Sequence, residues 1–165
     1  MKLSKTLSGE CACGEVQYEL GRVPMFTHCC HCLECQRQTG SAFVINGLIE
    51  TDQITVSGLE PVPVPVPTSS GRQHDVYRCP RCQTALWSDY GGRSWLRFVR
   101  IGTLHDPSSV SPDVHVFARS KRDWVGLPED VPVFDVFYDM KELWPSEALA
   151  RRQAASDAAN ANHTD

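Results

Sequence analysis

The sequence predicts a mainly β fold: a single domain of antiparallel strands with a short C-terminal helix. Three observations predict it. Short runs of β-branched and aromatic residues recur along the chain with glycine and proline between them, the pattern of strands joined by turns. No segment before Pro145 sustains the period of an amphipathic helix. Eight cysteines fall in three tight clusters, and the outer two are spaced to clip an N-terminal hairpin to the middle of the chain.

Taken in chain order, the runs at 16–20, 42–49, 76–78, 95–101 and 114–117 read as strands. Between the second and third lies PVPVPVP, from Pro61 to Pro67. Alternating proline cannot donate to both neighbours of a central strand, so this segment is expected to be an extended edge or loop. A polyproline recognition motif is the competing reading of the same residues. A helix is expected to begin at Pro145, a residue type tolerated at a first helical position, and to run through Glu147, Ala148, Leu149 and Ala150 to Arg152. Residues 154–165 are small and polar and are expected to fray. The division is thus 1–145 for the cysteine-bearing β domain and 146–165 for helix and tail.

At 165 residues the chain suits one core. No apolar run approaches the roughly 20 residues of a membrane span, and MKLSKTLSGE has no apolar stretch after its lysines, so the expectation is a cytoplasmic protein with no membrane partner. A net charge of -4 with no basic block argues against nucleic acid as a partner. Cysteines in a reducing compartment hold metal or do redox chemistry more often than they pair.

The clusters are CAC (Cys11, Cys13), CCHCLEC (Cys29, Cys30, Cys32, Cys35) and CPRC (Cys79, Cys82). A structural tetrahedral zinc takes four ligands, commonly two from each of two distant turns, and the outer clusters supply two each. Cys11, Cys13, Cys79 and Cys82 therefore make a closed site that clips the start of the chain to its middle, where metal binding becomes folding free energy. Cys30, Cys32 and Cys35 can wrap three sulfurs around an ion and leave its fourth position open, the arrangement of a catalytic zinc. Two zinc ions per chain are expected, one structural and one catalytic. Cys29, His28 or His31 could instead close the second site. Neighbouring residues on an extended backbone point to opposite sides, which favours Cys29 as a small buried residue. A thiol relay would leave the outer cysteines unexplained, and a deaminase signature is absent, since H-x-E does not precede the CPRC turn.

GECACGEVQYEL, CHCLECQRQTGSAF, CPRC, IGTLHDP, VHVFARSKRDW and LPEDVPVF together resemble the glutathione-dependent formaldehyde-activating family, which includes centromere protein V, over about residues 9–134. The resemblance implies a mostly β fold, zinc on the two cysteine sets just described, and reversible combination of glutathione with formaldehyde, a carbon-sulfur lyase activity. One departure is Gln83, where the family usually has glycine after the CPRC-type turn; a side chain there implies modest strain.

Three thiolates donate charge to the metal and weaken it as an acid toward water, while an incoming thiol still binds as thiolate, so carbon-sulfur chemistry on a small thiol or thiol adduct is the expectation. Around such a site Gln36, Thr39, Gly40, Ser41 and Phe43 follow the last ligand, and Gln36, Gly40, Ser41 and Phe43, with His115 and Trp124, are the candidate substrate contacts. Arg97 and Arg100 could receive substrate carboxylates, and Glu34 could act as a base. Trp87, Trp95 and Trp144 read as core or interface aromatics. A homodimer is compatible with the sequence. The competing reading is a non-catalytic zinc module that binds a protein partner.

Overall fold

A computed structural model describes residues 6–162, so the first five and last three positions of the expected ends lie outside the described residues. Among the described residues ten strands form two sheets. The smaller sheet has order β1-β2-β5, from β1 (Leu7–Glu10), β2 (Val16–Leu20) and β5 (Ile54–Gly58). The larger has order β10-β3-β4-β9-β8-β7-β6, from β3 (Phe26–Cys30), β4 (Val44–Glu50), β6 (Val62–Pro65), β7 (His74–Arg78), β8 (Ala85–Tyr90), β9 (Leu96–Arg100) and β10 (Val114–Val116). Neither sheet closes into a barrel. Every pairing between these strands is antiparallel except β10 on β3, which runs parallel, so the sheets are mainly antiparallel, as expected. A parallel partner needs a long crossover, and about half of the chain intervenes between these two strands.

Alternation sets the layers. Along β4, Ile45 and Ile49 point toward the small sheet, where they meet Leu7, Val16, Tyr18 and Leu20 together with Trp87 and Val99. Val44 and Leu48 point the other way, into a second core with Phe26, Leu96, Val114, Val116 and Trp144. The C-terminal segment covers that second face through Phe134, Tyr138 and Ala148. The proline-valine run forms edge strand β6, paired on one side only, which its missing amides permit.

Three α-helices are present among the described residues. α1 (Leu33–Thr39) was not expected. The Cys32 side chain caps its first turn by accepting from the Cys35 amide, and Gly40 ends it in the left-handed region at φ 63°. A short α2 (Met140–Leu143) is capped by Asp139. α3 (Ser146–Ala161) starts one residue after Pro145, which is its N-cap rather than its first helical residue, and it does not fray after Arg152. Six alanines from Ala150 to Ala161 carry the helix onward, because alanine has the highest helix propensity. No helix among the described residues is long and apolar enough to cross a membrane.

Candidate metal centres

The loop after β1 folds back on itself through Cys11 N–H to Val16 O (3.0 Å) and Gly14 N–H to Cys11 O (3.0 Å), with Gly14 at φ 75°. The β7–β8 loop does the same through Gln83 N–H to Cys79 O and Cys79 N–H to Thr84 O, both 3.0 Å. Each turn also aims an amide at a sulfur: Val16 N–H at Cys11 Sγ (3.3 Å) and Cys82 N–H at Cys79 Sγ (3.5 Å). Ala12 N–H donates to Thr84 Oγ1 at 3.1 Å, and Arg81 pairs with Glu15, so the loops are sewn together. Cys11, Cys13, Cys79 and Cys82 converge with their sulfurs all within 4.8 Å of one another. Hydrogen bonds from the Thr84 hydroxyl and amide hold Cys82 down at about 5. Four converging sulfurs, at least one favoured as thiolate, fit a metal ion. Gln83 does sit in the left-handed region, at φ 64°.

The second set is built where β3 runs into α1. Cys30 is the last residue of β3, Cys32 is the N-cap, and Cys35 lies in the first turn, its amide 3.3 Å from Cys32 Sγ. Cys30 and Cys35 sulfurs are 3.4 Å apart. Hydrogen bonds from Cys30 and Cys35 pull Cys32 down to about 2, whereas its bonds to Cys32 and Cys35, and then burial, push Cys30 up. A thiolate favoured at Cys32 among three converging sulfurs suits a cation. No fourth Cys, His, Asp or Glu joins it among the described residues.

Beside this trio is a cavity of about 410 Å³, lined in part by Gln38, Thr39, Phe43, Arg78 and Arg100, a volume ordinary for a small-molecule site. Arg100 lines the cavity and interacts electrostatically with the trio, whose cysteines are not among the lining residues. Burial presses its guanidinium pKa down, and the nearby Cys35, Cys30 and Cys32 push back. Its Nη1 donates to Asn46 Oδ1 at 2.5 Å, while its Nε is buried with no hydrogen-bond partner among the described residues. Arg78 stands at the rim, with Nη1 on Gln83 O (2.9 Å) and Nη2 near Gln38 Oε1 (3.4 Å).

The other expected contacts divide. Phe43 lines the cavity. Gln36 turns inward and donates to His31 O (2.8 Å) and Ser120 O (2.9 Å); Gly40 is a helix cap and Ser41 is exposed. Trp124 is 79% exposed and outside the cavity lining. Glu34 accepts from the Ser69 amide at 2.6 Å, which ties α1 to the loop after β6. Arg97 lies against the Tyr77 ring and pairs with Asp89. Trp87 and Trp144 are core residues, as expected.

His115 is on β10 opposite Cys29 and faces away from the trio. There it joins Cys29 and His31, the three donor atoms lying within 4.8 Å of one another. His28 is held elsewhere, its Nε2 2.5 Å from the Tyr138 hydroxyl. None of the three residues that could have closed the trio does so. Cys29 and His31 share a strand face by simple alternation, a signal in the sequence, but the parallel pairing that brings His115 to them left none.

Two sheets with convergent cysteine clusters, one four-fold and one three-fold, define a mainly β protein whose clusters could hold metal. The chain belongs to the family described as glutathione-dependent formaldehyde-activating enzyme, which it matches over residues 6–120. A crystal structure of a Rhodobacter sphaeroides protein is similar in shape, at 17% identity and a TM-score of 0.48, over 77% of this chain and 99% of that one. Among curated proteins none matches.

Proposed function

We propose that the protein is a zinc-dependent carbon-sulfur lyase acting on a small thiol-aldehyde adduct of the glutathione-formaldehyde type, with Cys30, Cys32 and Cys35 holding the catalytic ion and Cys11, Cys13, Cys79 and Cys82 a structural one. The observation that supports it most is the three-sulfur set with no fourth protein donor among the described residues, together with a cavity lined by Arg100, which interacts electrostatically with those sulfurs. Family membership agrees with a thiol and formaldehyde as reactants. When bound, zinc supplies a position that holds substrate sulfur as thiolate.

The chain's own residues do the rest. Arg100, held by Asn46, is a buried guanidinium that interacts electrostatically with the three sulfurs, so charge that accumulates on a departing sulfur is opposed. Arg78 presents a second guanidinium at the cavity, suited to a carboxylate of an anionic thiol such as glutathione. Phe43 gives an apolar wall. In cleavage, the electron pair of the carbon-sulfur bond stays on sulfur, the adduct hydroxyl loses its proton to water, and the carbonyl forms. Synthesis is the reverse.

The test is exchange spectroscopy by NMR on glutathione, formaldehyde and their adduct, with zinc-loaded protein. Wild-type protein is expected to accelerate exchange well above buffer. Cys32→Ser should abolish the acceleration and remove one metal per chain while the far-UV spectrum is kept. Full activity in Cys32→Ser, or no acceleration by the wild type, overturns the reading.

A further inference from the structure

Among the described residues buried guanidiniums come with a carboxylate, with one exception. Arg97 is 8% exposed and pairs with Asp89, and Arg151, its side chain about nine-tenths buried, pairs with Glu50. Arg100 is likewise 8% exposed, yet among the described residues it has no ion pair, and Asn46 Oδ1 is the one hydrogen-bond partner of its side chain. This exception lines the cavity. We infer that Arg100, supported by Arg78, seats a carboxylate of the substrate and that the same lining turns an ammonium away, so that the thiol taken here is a mercaptocarboxylic acid without a free amino group. The inference deepens the lyase reading and rests on it for the sulfur; the carboxylate seat rests on the cavity itself.

An arginine is seldom buried without a partner, because a desolvated charge left unanswered is costly. Asn46 answers only Nη1, and with a neutral oxygen. The Nε stays buried and unsatisfied. The three sulfurs supply part of the counter-charge, since Cys35, Cys30 and Cys32 push the Arg100 pKa back up against burial. Arg78 works the other way and presses it down. Arg78 itself rests on two neutral oxygens, Gln83 O and Gln38 Oε1. Three thiolates on one divalent ion would keep a single negative charge against two guanidiniums, so positive charge is left for a ligand to meet. A carboxylate meets it with the planar, two-oxygen geometry that a guanidinium matches. With that carboxylate seated, the second guanidinium still opposes charge on a departing sulfur.

The rest of the wall sets the selectivity. None of the lining residues is Asp or Glu, and Phe43, Val44, Ile45 and Ala85 are apolar. An ammonium brought here loses water, meets two like charges and finds no acid to pair with, a repulsive element of the kind by which a site rejects a near relative of its ligand. The apolar side chains suit the methylene groups between carboxylate and sulfur.

The test titrates zinc-loaded protein with 3-mercaptopropionate, with cysteine, which adds an ammonium to it, and with 2-aminoethanethiol, which lacks the carboxylate. Binding is followed by NMR through the Arg100 Nε–H signal, assigned through the residue's own backbone. Binding of 3-mercaptopropionate should move that signal and be at least about tenfold tighter than that of either other thiol, the worth of one charge-assisted hydrogen bond. Arg100→Gln should weaken 3-mercaptopropionate by at least about tenfold and leave 2-aminoethanethiol nearly unchanged. Arg78→Gln should weaken it less and keep the Arg100 shift. Propionate has no sulfur and reads the seat alone: a protein whose Arg100 signal moves with propionate but which turns over no adduct upholds the seat while the lyase reading falls. Should the variants fail to fold, the wild-type titrations decide. An Arg100 signal that neither propionate nor 3-mercaptopropionate moves, or cysteine or 2-aminoethanethiol bound as tightly as 3-mercaptopropionate, would overturn the inference.

Discussion

At the scale of single residues the clearest tension in the molecule is Gln83. It follows the last sulfur of the β7–β8 loop at φ 64°, in a region where a Cβ crowds the following carbonyl. The loop demands that conformation because Gln83 N–H must reach back to Cys79 O at 3.0 Å, closing the turn around the sulfurs. The glutamine side chain recovers little, making one exposed bond to Pro80 O at 3.2 Å. Gln83→Gly removes the crowding while the Gln83 carbonyl remains to accept from Arg78. The variant is expected to be more stable by about 1 kcal/mol, part of the roughly 1–2 kcal/mol of left-handed strain being offset by the extra freedom of glycine when unfolded. Thermal melts of metal-loaded wild type and variant measure it, and an unchanged or lowered midpoint would remove strain from the account of this turn.

Whole elements show where a second force is at work. α3 buries little apolar surface of its own, with Ala148 its buried residue, yet it is held against the sheet. Arg151 makes a two-pronged pair with Glu50, Nε to Oε1 at 2.8 Å and Nη2 to Oε2 at 2.6 Å, and adds Nη1 to Val23 O at 3.1 Å. Both side chains are about nine-tenths buried. Arg151→Met leaves the Glu50 carboxylate dry and unpaired and is expected to cost about 3–5 kcal/mol, whereas Glu50→Gln combined with Arg151→Met should recover much of that, because the desolvated charge is gone too. Urea melts of the single and double variants check this; equal loss in both would mean that the helix is held by packing alone. The same elements explain what could be read in advance. β2 was legible because VQYEL alternates buried and exposed residues strictly. β3 was not: all five residues of FTHCC are buried, since the second core covers one face and the Cys29 cluster lies on the other, so no alternation reached the sequence. α1 escaped because its N-cap is a cysteine, a residue read as a ligand and not as a helix start, although the Gly40 stop signal was in plain view. Of the site, sulfur spacing revealed both cysteine sets, while Arg78 and Asn46 come from distant strands that only the sheet order brings to the cavity and to Arg100.

For the molecule as a whole, the two cysteine sets should differ in what they hold together. The four-sulfur set joins the turn after β1, in the small sheet, to the turn after β7, in the large one, and Cys11 and Cys79 are themselves part of the core between the sheets. The trio joins only neighbours along the chain, the end of β3 and the first turn of α1. Metal at the first set would therefore close a long loop and register two sheets, and the apparent binding free energy of a structural zinc, about 10–16 kcal/mol, is comparable with the roughly 5–15 kcal/mol that keeps a domain folded. Metal at the second restricts a loop that is already short, so its loss releases little chain entropy. Cys79→Ser is accordingly expected to leave no cooperative thermal transition above room temperature, while Cys32→Ser keeps one within a few degrees of wild type. Amide hydrogen exchange refines the point: in Cys79→Ser, protection should be lost first in β1, β2 and β5, since their sheet meets the larger one through the core that Cys79 completes. If both variants melted alike, or if exchange rose first around α1 in Cys79→Ser, the two sets would be sharing one structural task and the division between a clip and an open site would fail.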